Sequence, residues 1–184
     1  MNMNVIDTAI PEVKIIEPTV FGDARGFFFE SFNEQQFRKQ TGVTLPFVQD
    51  NHSRSTQGVL RGLHYQIERA QGKLVRVVNG TVIDVAVDLR QSSPTFKQWV
   101  AVELSADNHR QLWIPPGFGH GFVVTSESAD FLYKTTDYWF KAHERSIRWD
   151  DPELAINWGV TPSMVLLADK DKQALFLNEA ELFE

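Results

Sequence analysis

The chain has 184 residues, of which 42% are hydrophobic, enough to bury the core of one domain. It contains no cysteine, which excludes disulfides, thiolate metal sites and cysteine nucleophiles and is typical of a reducing compartment. A formal net charge of −6 argues against a nucleic-acid-binding surface but leaves room for a small anionic ligand. The sequence shows neither a signal-peptide pattern nor an apolar run long enough to span a bilayer, so we expect a cytoplasmic protein.

Short apolar runs that alternate with polar residues dominate the chain and predict strands. In chain order, the predicted strands cover residues 13–17, 26–32, 74–79, 81–89, 98–104, 111–114, 121–125 and 129–139. Frequent short strands with regular turns are typical of an antiparallel sandwich or barrel. Helices are predicted only over residues 33–40, with Asn33 as N-cap, and 170–180. Without repeats or linkers, we expect one domain over residues 1–184 with a helical C-terminal tail.

The dipeptide Asn79-Gly80 predicts a two-residue turn that pairs the strands on either side of it in a hairpin. This register places six side chains on one face, namely Lys73, Val75, Val77, Val82, Asp84 and Ala86. Lys73 and Asp84 then lie as neighbours on a largely apolar face, where charges must be paired or used. The two residues form either a structural ion pair or part of a site inside a barrel.

Two of the five histidines stand in suggestive settings. His64 follows Arg61-Gly62 where we expect a strand, and His120 ends a glycine- and proline-rich turn that resembles the second cupin motif. In metal-binding cupins the first motif has a His-x-His pair and a glutamate, but residues 62–66 offer only His64, so we expect no metal. The sequence also lacks a glycine-rich phosphate loop and a Gly-x-Ser-x-Gly nucleophile elbow.

Longer stretches of sequence resemble the dTDP-4-dehydrorhamnose 3,5-epimerase family over about residues 10–171. They are VFGDARGFFFES (20–31), FVQDNHS (47–53), VLRGLHYQ (59–66), QGKLVR (71–76), QLWIPPGFGHGF (111–122) and FLYKTT (131–136). The resemblance implies an all-β fold, a cupin-type antiparallel jelly roll with a few short peripheral helices. It also implies a homodimer, no metal and no organic cofactor. The implied reaction converts dTDP-4-dehydro-6-deoxy-D-glucose into dTDP-4-dehydro-L-rhamnose in dTDP-L-rhamnose biosynthesis.

The resemblance also assigns catalytic roles. It implies that His64 is the base, with Asp171 as its carboxylate partner, and that Tyr133 is the proton donor. It places Lys73 near the developing enolate, with Asp84 in the same pocket. These residue types suit the chemistry, because a ketone at C4 acidifies the C–H bonds at C3 and C5. Epimerisation then needs a base on one face of the sugar, an acid on the other and a cation where charge develops.

Contacts to the substrate are implied by the same motifs. They fall on Arg25, Glu30, Gln49, Asn51, Arg61, Lys73, His120, Trp139, Glu144 and Lys170. In relatives, the segment from Arg25 to Glu30 reaches the site across the dimer. Trp139 stands where relatives often have tyrosine, and it offers a larger face for stacking on the nucleotide base.

Several alternatives remain open on the sequence. A related enzyme could invert only C3 or only C5 of a deoxysugar, or move the carbonyl as a ketoisomerase. A non-catalytic cupin would bind the nucleotide sugar without exchanging protons, and a metal-dependent cupin oxygenase would require bound metal. Product NMR identifies an enzyme that inverts one centre only, the position of the carbonyl identifies a ketoisomerase, and full activity in EDTA excludes the oxygenase.

Overall fold

In the computed structural model, which describes residues 2–184, strands are the main regular structure. They are β1 (Met3–Asp7), β2 (Lys14–Pro18), β3 (Phe21–Asp23), β4 (Gly26–Phe28), β5 (Gln49–Thr56), β6 (Leu60–Gln66), β7 (Lys73–Asn79), β8 (Thr81–Asp88), β9 (Trp99–Ser105), β10 (Gln111–Ile114), β11 (Phe118–Val124), β12 (Ser128–Thr135) and β13 (Glu144–Ser146). The described helices are α1 (Glu34–Thr41), α2 (Asp169–Lys172) and the 3-10 turns Lys141–His143, Pro162–Met164 and Leu177–Glu179. No helix within residues 2–184 has the length and apolar character needed to cross a membrane.

Two antiparallel sheets pack face to face. One has the order β1-β2-β10-β7-β12-β5 and the other β13-β6-β11-β8-β9, while β3 and β4 form a separate hairpin. The main core lies between the sheets, where Val75 and Phe131 from the first meet Val102 and Phe122 from the second. Along β9, buried Val100, Val102 and Leu104 alternate with more exposed residues, as expected of a strand that turns one face inward. The all-β jelly roll with short peripheral helices is therefore confirmed.

The five-stranded sheet is also covered on its outer face. Every residue of β11 is buried, because the C-terminal third of the chain packs against the side that faces away from the sandwich. Leu154, Trp158 and Leu177 belong to this second core, together with residues of β6 and β8. Strands β6 and β11 are thus held between two apolar layers.

The predicted hairpin at Asn79-Gly80 is wrong in its pairing. β7 lies between β10 and β12, and β8 lies between β11 and β9, so the turn carries the chain from one sheet to the other. Gly80 allows this crossing, since its φ is +76° and a Cβ there would lie 1.9 Å from the Ser128 carbonyl oxygen. The prediction that these side chains share one face is nevertheless confirmed in one respect, because they all point to the interior. All of its side chains, including Lys73 and Asp84, are buried, because the inner faces of the two sheets meet.

Other sequence predictions differ from the structure at their ends. Helix α1 is confirmed, with the Asn33 side chain accepting a hydrogen bond from the Gln36 N–H at 3.0 Å. The strand predicted over residues 129–139 ends at Thr135, so Trp139 does not share its face with Tyr133. The helix predicted over residues 170–180 is broken into α2 and a 3-10 turn, because an extended stretch between them pairs with residues 147–148.

Close approach of β6 and β11 depends on Gly62. Its φ is +126°, and a Cβ there would lie 2.6 Å from the Cα of Gly121 and from the carbonyl oxygen of His120. The same strands pair His64 directly with His120. Gly62 therefore allows the backbones of β6 and β11, which carry His64 and His120, to approach each other closely.

Gly62→Ala should lower the free energy of unfolding by at least about 3 kcal/mol, because both clashes are with backbone atoms that cannot move aside cheaply. Gly159→Ala is the matched control. Its φ is also positive, at +71°, but nothing lies within 4 Å of the added Cβ, so only about 1 kcal/mol of backbone strain is expected. Denaturant unfolding measures both, and equal losses would contradict the close-approach argument.

Candidate active site

A cavity of about 370 Å³ opens between the two sheets. Its lining includes Asn51, Arg61, His64, Lys73, His120, Tyr133, Glu144, Lys170 and Asp171, all of which the sequence predicted for the site. Asp84 lies in the same interior, on β8 behind the lining. Within residues 2–184, no three side chains of the His, Asp or Glu type are grouped as a metal site.

The shortest contact in the cavity joins His64 to Asp171. His64 Nε2 lies 2.6 Å from Asp171 Oδ1, and the carboxyl group is 2% exposed. The other oxygen of Asp171 accepts a long hydrogen bond from the Gly62 N–H, at 3.4 Å. A neutral imidazole whose Nε2–H donates to a carboxylate has its free lone pair on Nδ1. The pair therefore fixes the tautomer and defines Nδ1 as the basic atom.

A second histidine–carboxylate pair lies deeper. His120 Nε2 is 2.7 Å from Asp84 Oδ1, and both residues are buried. Burial raises the pKa of Asp84 and lowers the pKa of His120, while their mutual attraction opposes both shifts. The other oxygen, Asp84 Oδ2, is the one buried side-chain N or O atom among residues 2–184 that has no hydrogen-bond partner.

This pairing corrects the predicted Lys73–Asp84 ion pair. No salt bridge within 4.0 Å joins the two groups in the described chain, although the charge of Asp84 acts on Lys73. The side chain of Lys73 is buried at the start of β7, and burial lowers its pKa to about 8. The Lys73 side chain is thus mostly protonated near neutral pH and shielded from solvent, where it can stabilise developing negative charge.

Tyr133 faces His64 from the opposite wall. It lies on β12 of the six-stranded sheet, whereas His64 lies on β6 of the five-stranded sheet. Burial raises the pKa of Tyr133, and the hydrogen bond from the Asn51 side chain partly offsets the shift. The hydroxyl therefore holds its proton at neutral pH. A base and an acid on facing sheets can act on opposite faces of one bound molecule.

Polar groups surround the mouth of the cavity. Lys170 Nζ lies 3.3 Å from Glu144 Oε1, which links α2 to β13. Arg61 Nε donates to Ser55 Oγ at 3.0 Å. Sequence reasoning missed Ser55, because β5 carries few apolar residues and was not predicted as a strand. No hydrophobic alternation marks this strand in the sequence, and only its alternating burial in the structure places Ser55 on the same face as Asn51.

Trp139 lies outside β12 but is held near the mouth. Its backbone N–H donates to Gln49 Oε1 at 3.2 Å, and Gln49 Nε2 in turn donates to Asn51 Oδ1 at 3.2 Å. The residue is 52% exposed. An aromatic ring that is anchored through its backbone and open to solvent can offer a face for stacking.

Five predicted residues are not part of the lining of this cavity. Asp84, Gln49 and Trp139 lie next to it through the hydrogen bonds given above, whereas Arg25 and Glu30 lie elsewhere in this chain. Arg25 lies on the β3–β4 hairpin, where its side chain is 90% exposed and pairs with Asp23. Glu30 lines a different depression, beside β2 and α1. Apolar side chains on the same hairpin are more than half exposed, namely Phe21, Phe27 and Phe28.

Together, the jelly roll and the facing histidine–carboxylate pair and tyrosine define a cupin-type site equipped for proton transfer on two faces of a ligand. Comparison with known proteins gives the family. The model described as dTDP-4-dehydrorhamnose 3,5-epimerase matches residues 7–179, and the chain belongs to this family.

Individual relatives span nearly the whole chain. A dTDP-4-dehydrorhamnose 3,5-epimerase from Pseudomonas aeruginosa is 60% identical over 181 residues, which cover 98% of this chain and 99% of the relative. The crystal structure of a dTDP-6-deoxy-D-glucose-3,5-epimerase from Legionella pneumophila, in complex with dTDP-4-keto-L-rhamnose, is 54% identical with a TM-score of 0.97, covering 100% of this chain and 98% of that one. A 3′-monoepimerase from Streptomyces bikiniensis, in complex with dTDP-quinovose, is 33% identical with a TM-score of 0.86, covering 94% and 87%.

Proposed function

We propose that this chain inverts C3 and C5 of dTDP-4-dehydro-6-deoxy-D-glucose to give dTDP-4-dehydro-L-rhamnose. One observation carries the proposal, namely that the His64–Asp171 pair and Tyr133 face each other across one cavity from different sheets. Family membership supplies the substrate class, and the neighbour that binds dTDP-4-keto-L-rhamnose has nearly the same fold.

Proton removal begins at His64. Its Nδ1 takes the proton from the carbon next to the C4 ketone, and the electron pair of the broken C–H bond moves to give an enolate on O4. Asp171, 2.6 Å from Nε2, stabilises the imidazolium that forms. The ammonium of Lys73 stabilises the charge on the enolate oxygen, where a preorganised donor in a dry site is most effective.

Proton return comes from the other wall. Tyr133 donates its hydroxyl proton to the opposite face of the same carbon, and the ketone re-forms. The tyrosinate and the imidazolium then exchange protons with solvent before the second centre reacts. A buried tyrosine with a raised pKa suits this role, because it stays protonated until the enolate, a stronger base, is present.

The inner pair of Asp84 and His120 supports Lys73. The negative charge of Asp84 raises the pKa of Lys73 against the effect of burial and so keeps the ammonium protonated at neutral pH. His120 holds Asp84 Oδ1, and its ring lies at the cavity wall, where it can contact the sugar. Asp84 thus acts on the enolate through the charge of Lys73.

Nucleotide binding uses the mouth of the cavity. Trp139 stacks on the thymine base, and Arg61 and Lys170 attract the diphosphate. Gln49 and Asn51 on β5 and Glu144 on β13 contribute hydrogen bonds at the mouth, as the resemblance to the family implies.

A homodimer would explain the residues that do not reach the cavity. We infer that the β3–β4 hairpin docks on a second copy, covering its exposed phenylalanines and bringing Arg25 and Glu30 to the partner's cavity. Analytical ultracentrifugation measures the mass in solution, and we expect the mass of two chains. A monomer at the concentration of the enzyme assay would contradict this arrangement.

A single-site epimerase is the second candidate, favoured by the likeness to a 3′-monoepimerase of the same fold. Product NMR distinguishes the two. We expect both C3 and C5 of the dTDP-ketosugar to be inverted. A product inverted at one centre only, after complete reaction, would select the single-site enzyme.

Tyr133→Phe should slow epimerisation by about a hundredfold, the typical effect of removing a general acid. Proton abstraction should be affected less, because His64 and Lys73 are intact. NMR in D₂O measures both steps. Deuterium that enters substrate of unchanged configuration reports proton abstraction, and the amount of inverted product reports epimerisation. Equal slowing of exchange and inversion would remove Tyr133 from the donor role.

A further inference from the structure

One buried carboxylate outside the cavity has no part in the chemistry above. Asp151 is 3% exposed and lies beside Leu154 and Leu177 of the second core, on the outer side of the five-stranded sheet. Its Oδ1 accepts hydrogen bonds from the N–H groups of Glu153 and Leu154, at 2.8 and 3.2 Å. Its Oδ2 accepts one from the N–H of Leu177, at 2.7 Å. The carboxylate thus joins its own loop to a distant segment of the chain.

That segment is the C-terminal strap, which we define as residues 168–184. It contains α2, and therefore both Lys170 and Asp171. Beyond α2 it is fastened to the sheet by the Arg148 N–H, which donates to the Leu175 carbonyl at 2.9 Å, and by Asp151 at Leu177. Further on, Tyr65 donates its hydroxyl proton to the Glu181 carbonyl at 2.6 Å.

The strap therefore contacts strand β6 on both of its faces. His64 binds Asp171, and the next residue, Tyr65, binds Glu181. Side chains of adjacent strand residues point to opposite faces, so the two contacts lie on different faces of the strand. The position of Asp171 relative to His64 depends on how firmly the strap is held, since α2 is only four residues long.

We infer that Asp151 is a positioning residue for the proposed reaction, which holds the C-terminal strap so that Asp171 keeps its contact with His64. The inference rests on the proposed function only for its kinetic consequence. The carboxylate is suited to this role, because its two acceptor oxygens serve the loop and the strap at the same time. An amide has a single acceptor oxygen and can serve only one of them.

Asp151→Asn is therefore the informative variant. We expect kcat to fall about tenfold with KM changed less than about twofold, because small displacements of catalytic groups cost rate more than binding. Asp150→Asn is the matched control. It makes the same chemical change one residue away, where the carboxylate is partly exposed and pairs with Arg148, and it should leave kcat unchanged.

A spectroscopic readout separates positioning from loss of stability. A proton in the short His64–Asp171 hydrogen bond should give a downfield imidazole N–H resonance, which His64→Asn and Asp171→Asn identify by removing it. In folded Asp151→Asn this resonance should broaden or shift, whereas in Asp150→Asn it should not. A folded Asp151→Asn enzyme with the wild-type resonance and wild-type kcat would overturn the inference, whatever its melting temperature.

If Asp151→Asn yields no folded protein, Tyr65→Phe gives the same test at the contact between Tyr65 and Glu181, where the strap is also held. It removes one hydroxyl and keeps the ring packed, so a smaller change in the same direction is expected. An unchanged resonance and kcat in that variant would also overturn the inference. The resonance is read without substrate. A wild-type protein that shows the resonance but forms no inverted product would therefore defeat the proposed function alone.

Discussion

His64→Asn is expected to lower the rate of epimerisation by at least about a thousandfold, because asparagine keeps a polar group beside Asp171 but has no basic atom. Both inversions should be lost together, since one base serves both carbons. The appearance of inverted product, followed by NMR, measures the effect. Substrate affinity should be nearly unchanged, because the nucleotide contacts are intact.

The matched control is His143→Asn. His143 lies on a 3-10 turn, 3.6 Å from Glu68, and does not line the cavity. Its replacement should leave the rate within about twofold of the wild type. A His64→Asn enzyme that retains a tenth of the wild-type rate would contradict the assignment of the base.

Lys73→Met should lower kcat by about a hundredfold or more, the usual loss when one preorganised oxyanion donor is removed. Methionine fills a similar volume in the buried site without a charge. Lys97→Met is the control, because that lysine lies at the surface, paired with Glu153. Steady-state rates measure the effect, and a Lys73→Met enzyme of normal turnover would remove Lys73 from the mechanism.

The pH dependence of the wild type provides an independent check. The pKa of Lys73 is lowered to about 8, so its proton is lost and the rate should fall as pH rises through that value. The free energy of unfolding should instead increase with pH over part of this range. Between about 8 and the ordinary lysine pKa near 10.5, the unfolded chain binds the proton and the folded chain does not, so stability rises with pH. The difference between the wild type and Lys73→Met, measured for both rate and stability as a function of pH, isolates the contribution of Lys73. Rate and stability profiles that run parallel in the two proteins would contradict both expectations.

Local patterns in the sequence predicted some elements well. The cap of Asn33 defines the start of α1, and the apolar run at Gln111–Ile114 coincides with β10. β5 escaped prediction because its inward residues are polar and line the site, which leaves no hydrophobic alternation to detect. Strand prediction therefore failed where function replaces core residues with polar ones.

Strand pairing was beyond the reach of a local signal. A hairpin and a crossing between two sheets both place Lys73 and Asp84 on the inside, so the turn at Asn79-Gly80 could not separate them. The real partner of Asp84 is His120, which comes from β11, the neighbour of β8. Only the assembled sheet shows that contact.

The site itself depended on the family motifs. His64 and Asp171 are 107 residues apart in the chain, and no spacing rule connects them. The structure brings them within 2.6 Å through α2 and the C-terminal strap. Asp151 had no motif at all, because the role we infer for it depends on hydrogen bonds to backbone groups that sequence does not reveal.

Incorporation of solvent deuterium reports directly on proton removal and proton return at C3 and C5. Wild-type enzyme is incubated in D₂O with dTDP-4-dehydro-6-deoxy-D-glucose, and the product is analysed by NMR for both configuration and deuterium. We expect one solvent deuterium at C3 and one at C5, each at an inverted centre, because His64 removes one proton and Tyr133 returns another. Inverted product without deuterium at those carbons would contradict this expectation.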